Sequence, residues 1–357
     1  QPPAPVRPKK SGAWKIVLLV TAIVVLIGGG LIAVGLVSSL SSFTGFQTPY
    51  TQTVGPRLEE VLVEDNDASA KIAVVEVEGI ITSQMLDPAG FNMADIIKAQ
   101  LKRAGQDAKV RAVVLKVDSP GGEVLASDQI NKAIAEFQRK TGKPVVASMG
   151  NLAASGGYYV AVASRWIVAN ELTLTGSIGV IMSSWNYRGL MDKVGVRPFT
   201  YKSGKFKDML SGTRDPNQIP DEEREILQGL IDDVYRQFKG VVADGRQEAG
   251  RRNEEAGKAL CADWEQYADG RVFSGREAFK HGFVDELGDF ATATARARKL
   301  ANLSNANVVR YQRRIDFADL FRFFGESESR AVKLDLGIEL PRLKAGQPYF
   351  LPSTHLP

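Results

Sequence analysis

The stretch Ala112-Val113-Val114-Leu115-Lys116-Val117-Asp118-Ser119-Pro120-Gly121-Gly122 runs from an apolar, β-branched segment into a proline and paired glycines. A short apolar run of this kind reads as a strand buried on both faces, and the glycines as the turn that leaves it. Upstream, Ile72 to Ile81 has the same character and precedes a helical pattern over about 93–104. Downstream come a helix over about 125–141, a strand at 144–148, a short helix after Ser155 and a strand at 166–169. Short buried strands alternating with helices predict an α/β fold with crossover units and a largely parallel sheet. Its functional loops then lie at the carboxyl ends of the strands. Helical patterns over about 221–243 and 290–301 extend the series, and no internal repeat is present.

The 357 residues, 44% hydrophobic and 24% charged, are enough for one large or two modest cores. The formal charge of +4 resides entirely in Arg7, Lys9, Lys10 and Lys15, and the remaining 41 basic and 41 acidic residues cancel. A balanced body offers no basic face for nucleic acid. The single Cys261 excludes an intrachain disulfide and a cysteine-rich metal site, and it reads as a free thiol in or near packing. Neither HExxH nor CxxC occurs, so no metal and no cofactor are expected.

From Ile16 to Val37 the chain has 22 residues with Thr21 as the only conventional polar side chain. As a helix this run rises about 33 Å, enough to cross a hydrocarbon core of about 30 Å. It exceeds the apolar core of a cleavable signal peptide, about 7 to 15 residues, and so predicts an uncleaved transmembrane anchor. The positive charges precede it and the next basic residue is Arg57, which predicts a cytoplasmic N-terminus (1–15) and a body outside the inner membrane. Residues 38–70, rich in Ser, Thr, Gly and Pro, read as a linker. The body is expected over 71–306, and 307–357 form a weakly patterned tail, mobile or packed on a neighbour.

The chemistry centres on Ala153-Ala154-Ser155-Gly156-Gly157, a serine among small residues at a loop-to-helix junction. The chain has only two histidines, His281 and His355, both far downstream. A triad elbow would read Gly-x-Ser-x-Gly, and here the first position is Ala153. If Ser155 is a nucleophile, its base is then a lysine kept neutral by its surroundings. Lys202, Lys205 and Lys207 are candidates, and Ser177, after the fourth strand, offers a hydroxyl to orient the amine. The backbone N–H groups of Gly122 and Gly156 can serve as oxyanion donors. Helix capping is the alternative role for Ser155. The missing side chains at Gly156 and Gly157 fit close approach of another backbone, such as a bound peptide.

Five motifs stand in order: Asp118–Gly122, Met149–Tyr159, Leu174–Val180, Lys202–Asp208 and Gly270–Gly275, the last followed by Val284–Gly288. Over about 71–300 the chain resembles the short bacterial form of the signal peptide peptidase A family, peptidase family S49, in the Clp protease/crotonase superfamily. The resemblance implies a Clp protease/crotonase-like fold of repeated β-β-α and βαβ units. It implies a membrane-anchored serine endopeptidase that degrades signal peptides left in the bacterial inner membrane, along with other unfolded peptides. Ser155 would be the nucleophile, with Lys207 as base and Lys202 as the competitor. Ser177 would orient the lysine, and the N–H groups of Gly122 and Gly156 would hold the oxyanion. Short-form relatives form homo-oligomeric rings, such as an octamer, in which neighbouring subunits share each site. The rival readings are a crotonase-type acyl-CoA enzyme and an inactive membrane scaffold.

Overall fold

The structure, a computed structural model, describes residues 55–85, 90–254, 256–313 and 349–350. The expected anchor at 16–37, the segment before it and His355 lie outside the described residues. No helix among the described residues is long and apolar enough to cross a membrane.

The strand read at 112–117 extends over Val110–Ser119 (β3) and sits in a sheet whose main path runs β1-β10-β2-β3-β5-β6-β9. Here β1 is Leu58–Glu64, β2 Lys71–Glu78, β5 Val145–Ala154, β6 Trp166–Ala169, β9 Glu286–Leu287 and β10 Asn307–Arg313. All neighbours along that path are parallel except β1, which runs antiparallel to β10. The period of two in a strand assigns alternate residues to opposite faces. Ala73, Val75, Val113, Leu115, Val117 and Ala147 face one layer, made by α1 (Met93–Gln106), α2 (Val124–Thr141), α3 (Gly156–Ala161) and part of α5 (Asp221–Arg252). Ile72, Ala112, Val114, Val146 and Val168 face the other, where Ala293 and Ala297 of α7 (Phe290–Leu300) pack.

Two elements depart from the sequence reading. The expected linker contains β1, whose pattern LEEVLVE is mostly exposed and so lacks the apolar run that marks a buried strand. The sheet also continues past 306, because β10 lies inside it between β1 and β2. The carboxyl end of β3 leads through Pro120 and Gly121 into a two-residue strand, β4 (Gly122–Glu123), and α2 comes directly after it. Between α3 and α5 lie β7 (Leu174–Gly176) and α4 (Arg188–Lys193). After α5 come β8 (Val272–Ser274) and α6 (Gly275–Lys280). A last strand, β11 (Tyr349–Phe350), pairs antiparallel with β4.

Candidate active site

The site is built where β5 leaves the main sheet path. Val117 pairs with Met149 but Ser119 pairs with Ala153, so β5 carries extra residues, Gly150 to Leu152, opposite Asp118 alone. Such a bulge bends a strand and re-aims the residues beyond it. Asp118 holds it, its Oδ1 accepting the Leu152 N–H at 3.1 Å, and Thr173 Oγ1 donates to Gly150 O at 2.8 Å. From the last bulge residue onward, Leu152 to Ala154 pair with Leu174 to Gly176 of β7, and Thr175 Oγ1 donates to Ala153 O at 2.6 Å.

Ser155 comes immediately after, with φ 53° and ψ −118°, a conformation that L residues seldom adopt. Its N–H donates to Gly176 O at 2.8 Å, and its carbonyl accepts from Tyr159 N as α3 begins. The side chain does not cap that helix. Its Oγ is buried without a hydrogen-bond partner, which rules out the capping role. A buried hydroxyl left unpaired carries a desolvation cost of about 1–3 kcal/mol. Ser177 stands one step past the Ala154–Gly176 pair, as Ser155 does on β5, and it too has positive φ, 51°. It is buried, its N–H bonds Arg271 O at 2.7 Å, and its hydroxyl has no partner among the described residues. Two unpartnered serines therefore end neighbouring parallel strands.

The glycine loop meets them from β3. A β-carbon placed on Gly156 would lie 3.1 Å from Gly122 N, 3.1 Å from Gly121 Cα and 2.6 Å from Ser127 Oγ. One on Gly157 would lie 2.7 Å from Ser119 O. The close backbone approach expected from a bound peptide is therefore made by the chain's own loop, and the glycines are needed before any ligand arrives. Gly122 and Gly156 are thus brought side by side. Ser119 braces the loop, its Oγ donating to Gly79 O at 2.6 Å and accepting from Gly121 N at 3.1 Å. The bracing roles of Asp118, Ser119 and Thr175 were missed in the sequence. Their signal was present only as polar residues at the ends of otherwise apolar strands.

The lysines lie elsewhere on the chain surface. Residues 184–214 close on themselves through Tyr187 N to Gly212 O, Asn186 Nδ2 to Arg214 O and Ser184 Oγ to Leu210 O. Within this arm Lys202 Nζ bonds Asp208 at 2.5 Å and Lys205 O at 3.0 Å, and Lys205 pairs with Glu222. Hydrogen bonding by Lys202 holds the Asp208 carboxyl below its ordinary range. A depressed carboxylate stays ionised above its unfolded value of about 3.9, so the pair persists at neutral pH and is lost only in acid. Lys207 is exposed, and its amine has no partner among the described residues. No hydrogen bond or ion pair among the described residues joins these lysines to Ser155 or Ser177.

His281 caps the end of α6 and packs against Tyr267 with ring centroids 3.9 Å apart and the planes tilted by 33°, its Nδ1 3.8 Å from Cys261 Sγ. Burial pushes the Cys261 thiol up, away from the reactive thiolate. This pair makes no bond to Ser155. No group of three or more metal-ligating side chains occurs among the described residues.

Residues 137–304 match the model of Peptidase family S49. The chain is 36% identical over 259 residues to the "Putative signal peptide peptidase SppA" of Enterococcus faecium, covering 71% of each protein. It is 35% identical to Protease 4 of Salmonella typhi over 69% of this chain and 37% of that one. It is 32% identical to the chloroplastic serine protease SPPA of Arabidopsis thaliana over 65% of this chain and 33% of that one. The α/β sheet, the paired glycine loop and these likenesses agree, and the chain belongs to peptidase family S49 as a serine peptidase.

Proposed function

We propose that the protein is a membrane-anchored serine endopeptidase that uses a Ser155–Lys207 dyad to cleave signal peptides remaining in the membrane. The observation that carries the reading is Ser155 itself: a strained serine at a strand-to-helix junction whose buried Oγ has no partner, set beside the backbone of Gly122 and Gly156. In this reading a neutral lysine amine takes the Ser155 proton, and Oγ attacks the peptide carbonyl. The N–H groups of Gly122 and Gly156 hold the oxyanion. The lysine then protonates the leaving amine, and water hydrolyses the acyl-enzyme. The unpartnered hydroxyl of Ser177 is available to orient the amine.

Among the arm lysines, Lys202 and Lys205 are committed to carboxylates and Lys207 is not, which favours Lys207 over Lys202. The arm also exposes Trp185, Leu190, Val194, Phe199 and Tyr201, with Phe199 83% and Tyr201 96% accessible. An apolar patch of this kind marks a surface that is covered in use. A neighbouring copy in a homo-oligomeric ring is the proposed cover, with the arm lending its lysine across the interface. The substrate strand is assigned to the edge of β4, where Tyr349 now lies opposite Glu123 and Phe350 opposite Gly122. A substrate would take their place. The segment 16–37 anchors the protein in the bacterial inner membrane, with the peptidase body on the extracytoplasmic side.

The test uses the full chain in detergent with a signal-peptide-like substrate. Ser155→Ala is expected to lower kcat by about a thousandfold or more, Lys207→Ala comparably, and Lys202→Ala much less. Unchanged turnover in both Ser155→Ala and Lys207→Ala would sink the dyad.

A further inference from the structure

The residue after the paired glycines is a glutamate, and its side chain is used in an unexpected way. Glu123 stands directly before α2, where a carboxylate is well placed to cap the first turn, yet its side chain caps nothing. It is turned to the loop after β2, where it accepts from Thr82 Oγ1 at 3.1 Å, from Ser83 N at 2.9 Å and from the Ser83 hydroxyl. Glu123 is 7% exposed, and no cation pairs with it among the described residues. A buried carboxylate satisfied by three neutral donors is costly to place, and it fixes whatever those donors belong to.

Those donors belong to the segment on which the glycine loop rests. Ile81 N donates to Gly121 O and Glu123 N to Ile81 O, both at 2.8 Å, so Ile81 is laced to the residues on either side of Gly122. A β-carbon on Gly122 would lie 1.9 Å from Ile81 O, which shows how tightly the two backbones are pressed together. On the other side, Ser127 Oγ donates to Glu123 O at 2.9 Å and is the atom nearest a β-carbon built on Gly156. The chain of contacts runs from the Glu123 carboxylate to Thr82 and Ser83, to Ile81, and to Gly122.

We infer that Glu123 is a positioning residue for the reaction: its carboxylate clamps the 81–83 segment and so sets where the Gly122 N–H points. The inference deepens the reading of Gly122 as an oxyanion donor and rests on it. An oxyanion donor moved by a fraction of an ångström loses its hydrogen bond to the tetrahedral intermediate while the peptide's ground-state contacts persist. The expected signature is a fall in kcat with KM nearly unchanged. Glutamine can still accept the Ser83 N–H and donate to a hydroxyl, so Glu123→Gln should recover most of what Glu123→Ala loses.

The experiment measures kcat and KM on a peptide substrate, and the rate at which a fluorophosphonate labels Ser155, in full-length Glu123→Ala and Glu123→Gln. The expected result is a tenfold or greater fall in kcat and in labelling rate for Glu123→Ala, KM within about twofold of the parent, and most of the loss recovered in Glu123→Gln. An unchanged kcat, a rise confined to KM, or an equal loss in both variants would overturn the inference. If Glu123→Ala does not fold, the pair Thr82→Val and Ser83→Ala, which removes both hydroxyl donors and leaves the carboxylate in place, reads the same quantities. Failure of the underlying reading looks different: Ser155→Ala would then keep its turnover, whatever the Glu123 variants do.

Discussion

At Ser155 a β-carbon is held at positive φ, which a residue without one tolerates freely. The strain belongs to the backbone and not to the hydroxyl, so Ser155→Ala keeps it and Ser155→Gly relieves it. Both variants should be inactive, but Ser155→Gly should be the more stable by about 1 kcal/mol in thermal or denaturant unfolding. Equal stability would mean that the surroundings, and not the conformation, set the cost. The serine was legible in the sequence because small residues flank it and no histidine is near. Its conformation was not, since positive φ at a serine leaves no compositional mark. Asp118 was equally opaque: a carboxylate at a strand end looks the same whether it faces solvent or holds a bulge.

The elements read most surely were those whose burial is uniform. β3 and β6 are buried almost throughout, so their runs of Val, Ile and Ala announced them. β1 and β10 did not announce themselves, because one is mostly exposed and the other mixes buried positions with arginines and a glutamine. β7 and β8, three residues each, are too short to display a period, yet β7 carries the residue before Ser177. The arm is an element of another kind. Its apolar side chains do not join the core, and Arg214 fastens its base to the buried Glu223 at 2.6 Å. Trp185→Asp with Phe199→Asp should leave circular dichroism unchanged. The same pair should lower the assembly mass in light scattering and abolish turnover together with it. Retained mass, or lost mass with full turnover, would contradict a site shared through the arm.

Across the whole molecule, the far end of the sheet is tied to α5 by one buried ion pair. Arg246 donates to both Asp285 oxygens, at 2.8 and 2.6 Å, and to Gly282 O and Lys258 O. Asp285 also accepts from Ile167 N and Lys258 N. Both side chains are almost fully excluded from solvent, at 2% and 1%. Removing one partner strands the other charge, so Arg246→Ala should lose about 3–5 kcal/mol in denaturant unfolding. Adding Asp285→Leu should recover only part, because the Ile167 and Lys258 N–H groups would then lack acceptors. Full recovery would show that those backbone donors find other partners.

The sheet order β1-β10-β2 bears on how such a chain is made. The last strand of the main sheet sits between the first two, so a ribosome delivering the chain from its N-terminus leaves a vacant slot between β1 and β2 until Arg313 has emerged. A chain stopped at 306 would have every residue of the serine loop and the glycine loop, and yet two unsatisfied strand edges facing one another across an empty lane. The loops that carry Ser155 and Gly122 are complete in sequence before the sheet can be closed. Emergence of β10, and not completion of the serine and glycine loops, is therefore the moment at which this sheet can close.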